Sequence, residues 1–149
     1  MKAGTVLPDL TYDVSSTTVV LGALAPRDWR PQHHDYHVAT ERNGVRDIFL
    51  NAPNQAAWFE RYVTDWTGPF GRLGRMSFRM HDSVFPGDQM RLSGKVVDVA
   101  DDGTGCRWVS LEITLSVADR TCSTCSARVA VPVDPDDNPW SRRGERWQP

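Results

Sequence analysis

The chain has no run of apolar residues long enough to span a bilayer, no block of like charges and few cysteines, and each shortage narrows what it can be. A spanning helix needs about 18 to 20 mostly apolar residues in a row, and no window approaches that. The first residues, "MKAGTVLPDLTYD", carry one lysine and no apolar core of the kind that directs export. With a formal net charge of −2 and the two signs interspersed, no basic field exists to collect a phosphate backbone, so nucleic acid is not an expected partner. Three cysteines (Cys106, Cys122 and Cys125) are an odd, sparse set for a secreted scaffold. Together these absences predict a reduced, cytoplasmic protein with no membrane segment.

Metal ligands are scarce as well. Cys122 and Cys125 form a lone C-x-x-C, whereas a tetrahedral zinc site wants four ligands and no second pair follows. Redox dithiols usually open a helix, but "TCSTCSARVAVPV" reads as a strand, so the two cysteines are expected to be small strand residues. Of the four histidines, three fall at His33, His34 and His37 beside Asp35. Adjacent histidines point to different sides and do not easily reach one ion. Neither a metal nor any other cofactor is expected.

What is present suits one globular domain. The 149 residues are 40% hydrophobic and 24% charged, enough to bury a core without staples. Residues 1–135 read as that domain, and the proline-rich, charged tail 136–149 is expected to be extended or poorly ordered unless its two tryptophans dock. "SSTTVVLG" at 15–22 is rich in β-branched residues and predicts a strand; 23–47 predicts a loop with a short helix near 36–42. "NAPNQAAWFERYVTDWTG" at 51–68 is the best helix candidate. Asn51 can cap it, Pro53 suits its first turn, Ala56, Phe59, Val63 and Trp66 recur along one face, and Gly68-Pro69 stops it. After Gly71 the pattern has period two, with Met76, Phe78 and Met80 on one side and Met90, Leu92 and Val96 continuing it. "FPGD" at 85–88 and "DDGTG" at 101–105 read as hairpin-type turns. The order is strand, long loop, central helix, four antiparallel strands: an α+β domain whose sheet buries one face on the helix and leaves an edge for a second chain.

The polar cluster lies in the long loop, in "RDWRPQHHD" at 27–35. Metal binding, a solvated turn and an acid–base pair are the three readings open to it. Pro31 is expected to hold an extended path between Asp28 and His33, so that the two side chains converge while Trp29 and its apolar neighbours desolvate them. That favours a carboxylate and an imidazole working together.

Read as D-x-x-P-x-H-x-D, residues Asp28, Pro31, His33 and Asp35 resemble the signature of the MaoC-like hydratases, the (R)-specific enoyl-CoA hydratases of the hot-dog fold. "DIFLN" at 47–51 sits where that family has the segment opening its central helix, and "SFRM" and "FPGD" match its strand and turn pattern. The likeness covers about residues 15–132. "HHD", "DIFLN" and "RYVTDWTGP" are further similar to the small subunits of two-subunit hydratases acting on steroid side-chain thioesters. The resemblance implies a five-strand antiparallel sheet wrapped around one helix, with Asp28 and His33 as the catalytic dyad that adds water across a trans-2-enoyl-CoA. It also implies donors near Asn51 for the thioester oxygen, and a homodimer or a heterotetramer with a second MaoC-like subunit. Two positions depart from the family pattern: Arg30 stands where asparagine is common, and Leu50-Asn51 replaces histidine-glycine. Arg30 is accordingly a substrate-side candidate, for a polar contact or a CoA phosphate. Two other functions fit the same fold: a non-catalytic subunit shaping a partner's tunnel, or a thioesterase. Glu60 and Asp65, the carboxylates on the helix, lie too far along it to favour the last.

Overall fold

The computed structural model describes every residue except Asp102, Thr104, Gly105 and Cys106, so the turn expected over 101–105 and the thiol of Cys106 lie outside the described residues. Five strands form one antiparallel sheet in the order β1-β3-β4-β5-β2: β1 Val6–Asp13, β2 Arg72–Met80, β3 Gln89–Asp101, β4 Arg107–Val117 and β5 Arg120–Val131. Its inner face wraps the long helix α2, Ala52–Thr67, which gives the hot-dog arrangement the sequence implied. Met90, Leu92, Val96, Val109, Leu111, Ile113 and Leu115 meet Phe59, Tyr62 and Val63 of α2 in one buried cluster. Among the described residues no helix is long and apolar enough to cross a membrane.

Two elements differ from the sequence reading. Residues 15–22 belong not to a strand but to a second helix, α1, Ser16–Leu24. Ser15 accepts a hydrogen bond from the Thr18 amide while the Thr18 hydroxyl takes the Ser15 amide, a reciprocal cap that outweighs the β-branched composition. Val19 and Ala23, one turn apart, are then fully buried. The first strand is instead β1, hidden in the sequence by Pro8 and Asp9; the β1–β3 register shifts between Leu7 and Leu10, and an edge strand tolerates proline at such a bulge. The turn at 85–88 is likewise no hairpin, because β2 pairs with β5 and β3 lies between β1 and β4. The short helix near 36–42 is one wide turn, Val38–Arg42.

The outer face of the sheet carries Trp108, which is fully buried although it points away from α2. Trp147 of the tail covers it, ring centroids 4.9 Å apart, and Arg72 and Arg128 stack on the two indoles. Trp140 donates through its indole nitrogen to the Gly71 carbonyl at 3.2 Å.

Helix α1 crosses α2 closely at Gly22, where a β-carbon would stand 1.7 Å from Asn54 Nδ2. Asn54 in turn donates to the Thr18 carbonyl at 3.2 Å. Gly22→Ala must therefore push the helices apart or break that bond. We expect a loss of about 1–3 kcal/mol, the usual cost of overpacking a tight contact, read as a lower denaturation midpoint at unchanged m-value.

Candidate active site

The end of α1 delivers the first site residue. Arg27 adopts φ 59°, the left-handed conformation usually given to glycine, and the Arg27 and Asp28 amides bond back to the Leu24 and Ala23 carbonyls at 2.9 Å each. Asp28 is thus the last residue of a helix stop signal. Its Oδ1 then accepts from the Arg30 amide at 3.2 Å. The path to His33 is not extended as expected: Pro31 opens a single 3₁₀ turn, Pro31–His33, because a proline ring suits the first position of a helix. This turn carries the imidazole back toward the carboxylate, leaving His33 Nε2 3.8 Å from Asp28 Oδ2.

The pair is desolvated, but not by Trp29, which is 67% exposed. His33 is buried against Phe49, whose ring meets the imidazole edge-on at 4.8 Å. The Phe49 carbonyl lies 2.8 Å from Nδ1. A carbonyl only accepts, so Nδ1 carries a hydrogen and Nε2 is the nitrogen free to exchange a proton.

Asn51 completes the constellation. As N-cap of α2 it takes the Asn54 amide on Oδ1 at 3.0 Å, and with the opposite end of the same side chain it donates from Nδ2 to Asp28 Oδ2 at 2.9 Å. That bond is the largest cause holding the Asp28 carboxyl below its ordinary range; desolvation opposes it, and the Arg30 amide and the nearby His33 and Arg30 charges assist. Asp28 is therefore ionised at neutral pH. In the sequence Asn51 looked like a departure near the thioester oxygen, whereas in the fold its amide is committed to the carboxylate.

These groups line a cavity of about 530 Å³ that also takes in Leu50, Gln55 and residues 80–83 at the end of β2. Arg30 stands at its mouth, side chain 75% exposed and Nε 4.0 Å from Asp28. His34 and His37 are exposed, His37 pairing with Glu41. Cys122 and Cys125 are buried on β5, and burial pushes both thiols up, Cys125 to about 12, which disfavours the thiolate a nucleophile or metal would need. Among the described residues no three His, Cys, Asp or Glu side chains gather as a metal site. Sequence reasoning missed Gln55, which is 1% exposed in the cavity wall, although its place one turn after Asn51 was a usable signal.

A separation of 3.8 Å is too long for a direct hydrogen bond, yet it lets Asp28 and His33 contact one water oxygen together. A sheet wrapped on a helix, with a carboxylate and an imidazole facing one another at the helix's N-terminal mouth, defines a hot-dog protein. The chain matches no protein-family model. Over 98 residues it is 37% identical to the 3-oxo-4,17-pregnadiene-20-carboxyl-CoA hydratase beta subunit of Mycobacterium tuberculosis (strain ATCC 25618 / H37Rv), an alignment spanning 66% of this chain and 75% of that protein. In structure it is similar to a chain of the ChsH1-ChsH2 complex from Mycobacterium tuberculosis, with a TM-score of 0.80, 29% identity, and 87% of this chain and 97% of that one covered. It also superposes on the (R)-hydratase from A. caviae involved in PHA biosynthesis, with a TM-score of 0.79 at 18% identity over 89% of this chain and 98% of that one. The chain belongs to the MaoC-like hydratase family.

Because the folded-state pKa of Asp28 is depressed, the stability its carboxylate contributes is fully present above the ordinary carboxylate range and is lost as pH falls through the folded value. Asn51→Ala removes the main cause. The Asp28 titration, followed by carboxyl-carbon NMR, should move up toward the usual carboxylate value, and loss of the cap should cost about 1 kcal/mol.

Proposed function

We propose that this chain is the catalytic subunit of an acyl-CoA hydratase that adds water across a trans-2-enoyl-CoA, or removes it in reverse, with Asp28 and His33 holding the reacting water. The single observation that carries the reading is the 3.8 Å gap between Asp28 Oδ2 and His33 Nε2, with the far side of each group already fixed, by Asn51 and by the Phe49 carbonyl. Water bridges the two groups. His33 Nε2 takes one water proton as the oxygen bonds to C3, and the π electrons move through C2 to the thioester oxygen. The imidazolium, facing the ionised Asp28, returns the proton to C2, so the net addition is one water to one face of the alkene. No redox partner is consumed.

A bulky, steroid-like acyl group is supported by the likeness to the beta subunit named above, and we carry it to this chain on that basis. The thioesterase alternative finds little support: on α2, Glu60 is exposed and Asp65 pairs with Arg61. Arg30 is exposed and lines the cavity, which supports our assigning it to the phosphates of CoA. Acyl-CoA chemistry belongs with intracellular CoA, and we place the protein in the cytoplasm. β2 pairs on one side only, with β5, and the cavity opens at its end, where residues 80–83 line it. The likeness to a chain of a two-chain complex supports a second MaoC-like subunit, and we assign it to that edge, where it completes the acyl pocket.

In the assembled enzyme, Asp28→Asn and His33→Ala should each lower trans-2-enoyl-CoA hydration by roughly 100- to 10,000-fold while the circular dichroism spectrum stays unchanged. Retention of more than about a third of the activity by either variant removes the dyad. Light scattering should find the chain in a dimer or heterotetramer; a monomer active by itself contradicts the proposed assembly.

A further inference from the structure

A polar side chain buried among apolar ones asks for its partners, and Gln55 has found only half of them. It sits in the first turn of α2, on the same face as Asn51 and one turn further in, and is 1% exposed in the wall of the cavity that holds Asp28 and His33. Its Oε1 is in short contact with the hydroxyl of Ser123 on β5. That hydroxyl has one hydrogen and two neighbouring acceptors, Gln55 Oε1 and the Cys122 carbonyl at 2.8 Å. The Cys122 carbonyl already accepts from the His81 and Asp82 amides at 2.8 and 3.1 Å, which fills its two lone pairs. The Ser123 proton therefore goes to Gln55. This fixes the amide's orientation: oxygen toward β5, NH₂ toward the cavity, with no acceptor among the described residues taking it.

We propose that the Gln55 NH₂ donates to the thioester carbonyl oxygen of the bound enoyl-CoA and so stabilises the enolate-like charge that builds there. The assignment rests on the hydratase reading and extends it to the electrophilic side of the site. Hydration at C3 drives electron density onto that oxygen, and a donor fixed beforehand in a water-poor cleft is worth most where charge develops. Of the amides at the start of α2, Pro53 has no N–H, the Asn54 amide is taken by Asn51 and the Gln55 amide by the Asn51 carbonyl, which leaves the Asn51 and Ala52 backbone amides to share the oxygen with the Gln55 NH₂. The Asn51 side chain is held by two other bonds, one N–H given to Asp28 and its oxygen on the Asn54 amide. A neutral amide suits the place, because it polarises the carbonyl without bringing a second charge into a pocket that already holds a carboxylate and an imidazole. It does not titrate.

The test uses the assembled hydratase with trans-2-octenoyl-CoA as substrate, and butyryl-CoA with a carbon-13 carbonyl as an unreactive probe. Gln55→Met, close in length and without a donor, should lower kcat by about 10²- to 10³-fold with little change in KM, and should leave the pH limbs of kcat in place. In difference infrared spectra the probe's thioester carbonyl should stretch at lower frequency in the wild type than in Gln55→Met. Ser123→Ala keeps the amide but releases its orientation; it should broaden that band and lower kcat by an intermediate factor, and it serves if Gln55→Met does not assemble. The proposal is overturned if Gln55→Met or Ser123→Ala keeps kcat within about threefold, or if the carbonyl band is the same in variant and wild type. An effect on KM alone also overturns it. A wild-type assembly that leaves enoyl-CoA unhydrated sinks the hydratase reading instead, and the probe spectrum still reports whether Gln55 meets a thioester.

Discussion

One side chain ties the loop of the site to its scaffold. Asn51 caps α2 with its oxygen and grips Asp28 with its nitrogen, so the register of the helix and the position of the carboxylate are set by the same amide plane. Were the two ends served by different residues, each could drift independently. Here a rotation that improves one bond worsens the other, and the plane is held where both close. The lowered pKa of Asp28 follows from that grip, as does the free face it offers to water opposite His33.

The buried stripe of α2 is correspondingly mixed. Trp58, Phe59, Tyr62 and Val63 bury their side chains in the sheet's concave face, while Asn51, Asn54 and Gln55 at the start are buried and polar. The apolar half holds the fold together by area removed from water. The polar half has little to add by burial and must be satisfied bond by bond: Asn54 against α1, Asn51 against Asp28, and Gln55 against β5 with one end left over. A single helix is thus divided lengthwise into a part that stabilises and a part that orients.

The sequence disclosed the parts whose cause is local. Asn51, Pro53 and the recurrence of Phe59 and Val63 announced α2, and alternation announced β2 to β5, because capping and pleat period act within a few residues. It misread 15–22, where composition favours a strand and a cap made by Ser15 and Thr18 decides otherwise, and it passed over β1, whose Pro8 is admissible only because the strand bulges at an edge. That Asp28 and His33 come together was legible from D-x-x-P-x-H spacing, but the 3₁₀ turn that joins them was not, nor was what desolvates them: Phe49, not Trp29, faces His33. Asn51 to Asp28 and Ser123 to Gln55 span 23 and 68 positions, and no local pattern encodes a bond of that reach.

The stop signal of α1 has a thermal meaning. Asp28 lends its own amide to the hydrogen bonds that end the helix, and Arg27 beside it holds a backbone conformation that costs an L-residue about 1 kcal/mol or more. Fraying of that helix end and displacement of the carboxylate are therefore one event. Helix ends open at lower free energy than a sheet core, so the turn that carries Asp28 loosens at less cost than the paired strands behind it.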